Sequence, residues 1–108
     1  MNIEVSNEID RSAVTSLASA VSVFLSTGAA AALLPIFLLV ARNPNRTCAE
    51  LSRQERISLS TMNRHLLTLG HVNIGLVQTR AEAGGTRDLR HSLTAKGVEL
   101  LRRMVTRR

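Results

Sequence analysis

The chain has 108 residues, 44% of them hydrophobic, with 14 Lys or Arg against 8 Asp or Glu and a formal net charge of +6. That length gives one domain with a modest core, and the apolar fraction excludes a wholly disordered polypeptide. A single cysteine, Cys48, excludes an internal disulfide and points to a reducing compartment such as the cytoplasm.

The charge is unevenly distributed. Residues 1–41 carry −2 and residues 42–108 carry +8. A polyanion such as double-stranded DNA is the natural partner of the second part, although a basic solubilising surface has the same composition. No charged residue occurs from Ser12 to Ala41, a run of 30 positions. A membrane span needs about 20 predominantly apolar residues. Residues 12–28 hold seven Ser or Thr plus Gly28, and only 29–41 is continuously apolar, broken by Pro35. A buried helix fits that stretch better, and no membrane contact is expected. No basic segment precedes it, so no signal peptide is expected either.

In chain order, residues 6–26 read as a helix. Ser6 can cap it, and Ile9, Val14, Leu17, Val21, Phe24 and Leu25 fall at steps of three and four. Beyond Arg11 this helix has small hydroxyl residues and no charge, a surface suited to a second copy of itself. Packing wholly inside one chain is the equal alternative. Val14, Leu17, Val21 and Phe24 are the candidate dimerisation residues. Residues 1–27 thus form an N-terminal, dimerising helix, and residues 28–108 form a second unit.

Gly28 marks a break, and a buried helix is expected from Leu34–Pro35 to Arg42, with proline in its first turn. Asn43-Pro44-Asn45 is a turn signal. Thr47 and Glu50 make a capping box for a short helix from Cys48 to about Gln54. Ser58 can cap the next helix, 59–69, whose apolar residues Leu59, Met62, Leu66 and Leu69 share one face. Its other side offers Ser60, Thr61, Asn63, Arg64 and Thr68, with no acid among them.

Residues 76–80 fit a strand, 81–86 a loop of small residues with Gly84 and Gly85, and 87–93 a second strand through Leu89, His91 and Leu93. Together they read as a hairpin. Thr94 can cap a last helix whose apolar residues are Val98, Leu101 and Val105, with Leu100 and Met104 beside them. Arg102, Arg103, Arg107 and Arg108 crowd its C-terminal end, where cations suit the helix dipole.

Two short helices followed by one with an uncharged or basic outer side match the helix-turn-helix plan. A helix fits the DNA major groove, and Ser60, Thr61, Asn63 and Arg64 can reach bases or phosphates without repelling the backbone. Arg64 is the first candidate to read a base, and Thr68, a turn further on, a candidate for a phosphate. Arg80, Arg87 and Arg90 surround the hairpin loop, where an arginine suits a narrow minor groove. An ordinary solvated hairpin explains each arginine singly; their combination with the polar helix favours DNA.

From Leu34 to Leu101 the chain resembles the winged helix-turn-helix domain of MarR-family transcription regulators. The resemblance rests on LPIFLLVARNPNRTCAEL (34–51), ISLSTMNRHLLTL (57–69), GLVQTR (75–80) and RDLRHSLTAKG (87–97), with SLTAKG (92–97) at the strand-to-helix junction. It implies a mainly α fold with a small β-hairpin and a homodimer that represses transcription from a palindromic operator. It places Ser60, Thr61, Asn63 and Arg64 at recognition-helix positions and Arg87 at the wing arginine. Such regulators have an apolar residue and then glycine before the recognition helix, where this chain has Glu55 and Arg56. Glu55 must then be exposed or paired, and Arg56 must adopt the backbone geometry of the turn. Gly85 replaces an aspartate that braces the wing arginine. The chain stops at Arg108, before the long C-terminal helices of the usual dimer, so the N-terminal helix must do most of any dimerisation. A small-molecule effector site between those helices is not expected.

His65, His71 and His91 have no metal-ligand spacing with Cys48 or a carboxylate, so no metal or cofactor is expected. His91 reads as a partly buried strand residue. Cys48, near a helix start, reads as a structural cysteine whose thiol that position would make more acidic. No nucleophile–base–acid set occurs, and an enzyme is the least supported class. The alternative to a regulator is a winged-helix protein-interaction module without operator recognition, motivated by Glu55, Arg56 and Gly85.

Overall fold

In the computed structural model, which describes residues 10–70, 73–81 and 89–106, each α-helix but one begins at a side chain able to accept an exposed amide. Helix α1, Arg11–Leu25, is capped by Asp10, whose carboxylate accepts from the Ser12 amide at 2.9 Å. The hydrogen bonds from Ser12 hold that carboxyl below its ordinary range. Asp10 itself is extended, so the expected helix does not run unbroken from Ser6 to Ser26 but starts at Arg11; Ser6 and Ile9 lie outside the described residues. At the far end the Ser26 and Thr27 hydroxyls donate to the Val23 and Phe24 carbonyls, and Gly28, at φ 89°, turns the chain.

A single 3-10 turn, Ala31–Leu33, leads into α2, Leu34–Arg42, with proline in its first turn as the sequence predicts. No side chain caps α2; the preceding turn runs directly into it. Ile36, Phe37, Leu39 and Val40 are buried, and the Phe37 ring lies 5.4 Å from that of Phe24. The chain then turns at Asn45, a non-glycine residue at φ 63°, whose amide donates to the His91 carbonyl at 2.9 Å.

That turn feeds a strand the sequence does not announce. β1 is only Arg46–Thr47, too short to show alternation. It pairs antiparallel with β3, Leu89–Leu93, setting Arg46 opposite His91 and Thr47 opposite Arg90. β3 also pairs antiparallel with β2, Val77–Ala81, so the expected hairpin is part of a three-stranded sheet of order β1-β3-β2.

Helix α3, Cys48–Glu55, starts with the predicted capping box. The Glu50 amide donates to Thr47 Oγ1, and the Thr47 amide to Glu50 Oε1. It ends at Arg56 in the left-handed region, φ 59° and ψ 41°, and Glu55 is exposed. The Ile57 amide bonds back to the Ser52 carbonyl, while the Ser52 hydroxyl donates to the Ile57 carbonyl at 2.6 Å. Helix α4, Leu59–Leu69, follows from the Ser58 cap, with Met62, Leu66 and Leu69 in the core. Leu59 departs from the expected stripe: it is 55% exposed, because nothing in the described chain covers the first turn of the helix on that side.

The return from α4 is pinned to the last helix, α5, Ala95–Val105. Thr94 caps α5 and donates its hydroxyl to the Gly75 carbonyl, and Lys96 Nζ donates to the Ile74 carbonyl. α5 buries Gly97, Leu100 and Met104 and packs Leu101 half-buried against the core, while Val98 and Val105, also expected in the stripe, face outward. It packs against α1. No helix among the described residues is long and apolar enough to cross a membrane.

Candidate nucleic-acid interface

The core side of α4 is fixed by Met62, Leu66 and Leu69, and the direction of its other residues follows from helical geometry. Two ridges face away from the core. Ser60 and Arg64 form one, and Leu59, Asn63 and Leu67 form the other. All five are exposed, Leu67 to 58%. The side chains of Asn63 and Arg64 make no hydrogen bond or ion pair among the described residues, and α4 contains no acid. This is a singly basic surface, three polar residues beside two exposed leucines, held outward by an apolar underside.

The other predicted groove residues are differently placed. Thr61 is half-buried and engaged with the cap: its amide donates to Ser58 Oγ at 3.1 Å, and its Oγ1 accepts from the Ser58 hydroxyl at 2.9 Å. It belongs to the helix start more than to the outer ridges. Thr68 is half-buried and donates to the Arg64 carbonyl, a back-bond within the helix.

On the sheet, Arg80 is exposed and lies opposite Arg90. Arg90 is half-buried, and its Nη1 donates to the Asn45 carbonyl at 2.9 Å. That contact draws it back toward the turn before β1. Glu50 is held below the ordinary carboxylate range mainly by the hydrogen bond from the Thr47 backbone, with smaller help from Arg90 and Arg46. Arg90 therefore ties the wing base to the α3 start. Arg87, Gly84 and Gly85, the expected loop elements, lie outside the described residues.

Three open recesses are lined in part by Asn63: two, of about 480 and 350 Å³, lie between α4 and the sheet, and one of about 440 Å³ lies between the starts of α3 and α4. His91 lines two of them. It is buried, its Nδ1 lies 3.1 Å from Thr79 Oγ1, and burial pushes its pKa below the ordinary histidine value. Cys48 lines the other side, with Sγ 3.8 Å from the Leu59 carbonyl oxygen. Burial pushes its thiol up, the opposite direction to the acidic thiol expected at a helix start. No group of three or more His, Cys, Asp or Glu among the described residues could hold a metal ion.

Of the expected dimerisation residues, Val14 and Leu17 are exposed and Val21 is half-buried. Phe24 is a correction. It has no exposed surface, being enclosed against Phe37, and so belongs to the chain's own core. What the sequence misses is the exposure of Leu59 and Leu67. A helical wheel centred on Met62, Leu66 and Leu69 puts Leu67 well off the core direction; for Leu59 no such signal exists.

No family model matches the chain, and no curated protein matches it in sequence. Its fold is similar to that of two solved structures. One is the MarR family transcription regulator SP03579, with a TM-score of 0.66 and 19% identity, covering 82% of this chain and 57% of that one. The other is the Mycobacterium tuberculosis MarR family protein Rv2887 in complex with p-aminosalicylic acid, with a TM-score of 0.54 and 21% identity, covering 96% of this chain and 75% of that one. The chain thus spans little more than half the length of the first of these proteins. Helix-turn-helix, three-stranded sheet and closing helix together give it the winged helix-turn-helix fold of MarR-family transcription regulators.

Proposed function

We propose that the chain is a dimeric, sequence-specific double-stranded DNA-binding regulator that represses transcription by occupying its operator. In this reading α4 enters the major groove and the hairpin loop 81–87 enters the adjacent minor groove. The observation that carries it is the outer side of α4, where Ser60, Asn63 and Arg64 stand exposed on an acid-free surface. Arg64 is suited to a guanine edge and Asn63 to an adenine edge. Arg80 and the basic balance of residues 42–108 supply a phosphate-seeking field that fades with salt. Val14, Leu17 and Val21 on α1 supply the contact between two copies. The interaction-module alternative loses two of its motives, since Arg56 adopts the turn geometry and Glu55 is exposed.

Selection from a random duplex library, followed by binding assays on the recovered site, tests this. The expected result is a palindromic site bound far more tightly than its scrambled version. Arg64→Ala is expected to weaken binding by about 1–3 kcal/mol and to relax preference at one base pair per half-site. Equal affinity of the unaltered protein for selected and scrambled duplexes would overturn the proposal.

A further inference from the structure

We infer that Leu59 reads the C5-methyl group of a thymine in each half-site. This rests on the DNA-binding reading above and deepens it by naming a base and the side chain that selects it.

Leu59 is the first residue of α4 and belongs by spacing to its apolar series, yet it is 55% exposed while Met62, Leu66 and Leu69 are at 3% or less. It stands beside the polar residues proposed to meet DNA. With Cys48, Ser60 and Asn63 it lines an open recess of about 440 Å³. Its lining is an isobutyl group and a thiol together with a hydroxyl and a carboxamide. Such a recess suits a small aliphatic group with polar neighbours.

Among the base edges of the major groove, the thymine methyl is the one aliphatic group. The N-terminal residues of a recognition helix are those that approach the base edges. Leu59 and Ser60 occupy that end. Asn63, one turn along the Leu59 ridge, carries the carboxamide that suits adenine. Leu67 is as exposed but lies two turns on, lining the recess beside Gln78 and Thr79, and is not assigned a base. The absence of acid from α4 fits a nucleic-acid occupant for this surface better than a basic protein partner.

The test begins with the selected site. If no sequence is enriched, the DNA-binding reading and this inference fall together. With a site in hand, each thymine is replaced singly by uracil, which removes only the methyl. Binding is measured for the unaltered protein, Leu59→Ala and Leu59→Met. At one position per half-site, uracil is expected to weaken binding by the unaltered protein about fourfold, the worth of one buried methyl. That loss should vanish in Leu59→Ala and persist in Leu59→Met. Uracil that is harmless at every position of a tightly bound site overturns the Leu59 assignment alone. A uracil penalty that survives undiminished in Leu59→Ala also overturns it, because another side chain then makes the contact.

Discussion

Arg56 shows how one residue can fit a turn and still strain it. Its φ of 59° and ψ of 41° lie in the left-handed region, which costs an L-residue roughly 1–2 kcal/mol. Glycine avoids that cost but loses about 0.5–1 kcal/mol through the greater freedom of the unfolded chain. The first effect is the larger, and the exposed Arg56 side chain has little packing to lose. Arg56→Gly is therefore expected to stabilise the fold by roughly 0.5–1 kcal/mol, read as a rise of a few degrees in Tm. His91 gives a second prediction. Burial lowers its folded pKa, so below the ordinary value of 6.5 the unfolded chain binds a proton that the native state refuses. Its contribution is fully present above that value and is lost as pH falls toward the folded pKa. Urea midpoints measured near about pH 7.5 and about pH 5 should differ less in His91→Val than in the unaltered protein. At this scale the sequence exposes Ser60, Asn63 and Arg64 through their helical positions. It does not expose the role of Arg90, because that depends on an Asn45 carbonyl 45 residues away that folds back to meet it.

At the scale of elements, the caps are legible and the facing of α5 is not. Ser58, Thr47 and Thr94 each sit three residues before the amide they accept, a local relation visible in sequence. For α5, however, two interleaved series fit a helical period: Val98, Leu101 and Val105, or Gly97, Leu100 and Met104. The second is buried, with Leu101 half-buried beside it, because Gly97 lets α5 approach the chain just before β2. A Cβ at Gly97 would stand 2.3 Å from the Leu76 carbonyl oxygen, a backbone atom. Helix propensity alone would make Gly97→Ala stabilising by about 1 kcal/mol. The steric conflict is larger, so the substitution should instead destabilise by roughly 1–3 kcal/mol, measured as a lower urea midpoint. β1 is hidden for another reason: two residues pair because Asn45 and β3 hold them there, and a pair is too short to show strand alternation.

The described residues form an elongated body. Its radius of gyration is 16.0 Å and its extents are 55 × 30 × 21 Å, whereas a compact chain of this length has a radius of about 13 Å. An elongated chain leaves more apolar surface at its periphery. Val14 and Leu17 on α1, with Val98 and Val105 on the packed partner helix α5, are that surface. If two copies join there, Leu17→Glu should yield an 11.8 kDa monomer by sedimentation equilibrium at concentrations where the unaltered protein is twice that mass. Because Leu17 is 65% exposed, the variant should melt within about 0.5 kcal/mol of the parent monomer. It should also bind the palindromic site more weakly than the parent, since each half-site would be engaged separately. A sequence read one helix at a time gives the apolar face of α1 but not its division into Phe24, which the chain encloses, and Leu17, which it does not.

The outer ridges of α4 bear on how such a protein can diversify. Since the side chains of Asn63 and Arg64 have no hydrogen-bonded partner among the described residues, exchanging them disturbs neither core nor cap. If these positions read DNA as proposed, duplicated descendants can drift in target choice there while inheriting an unaltered scaffold.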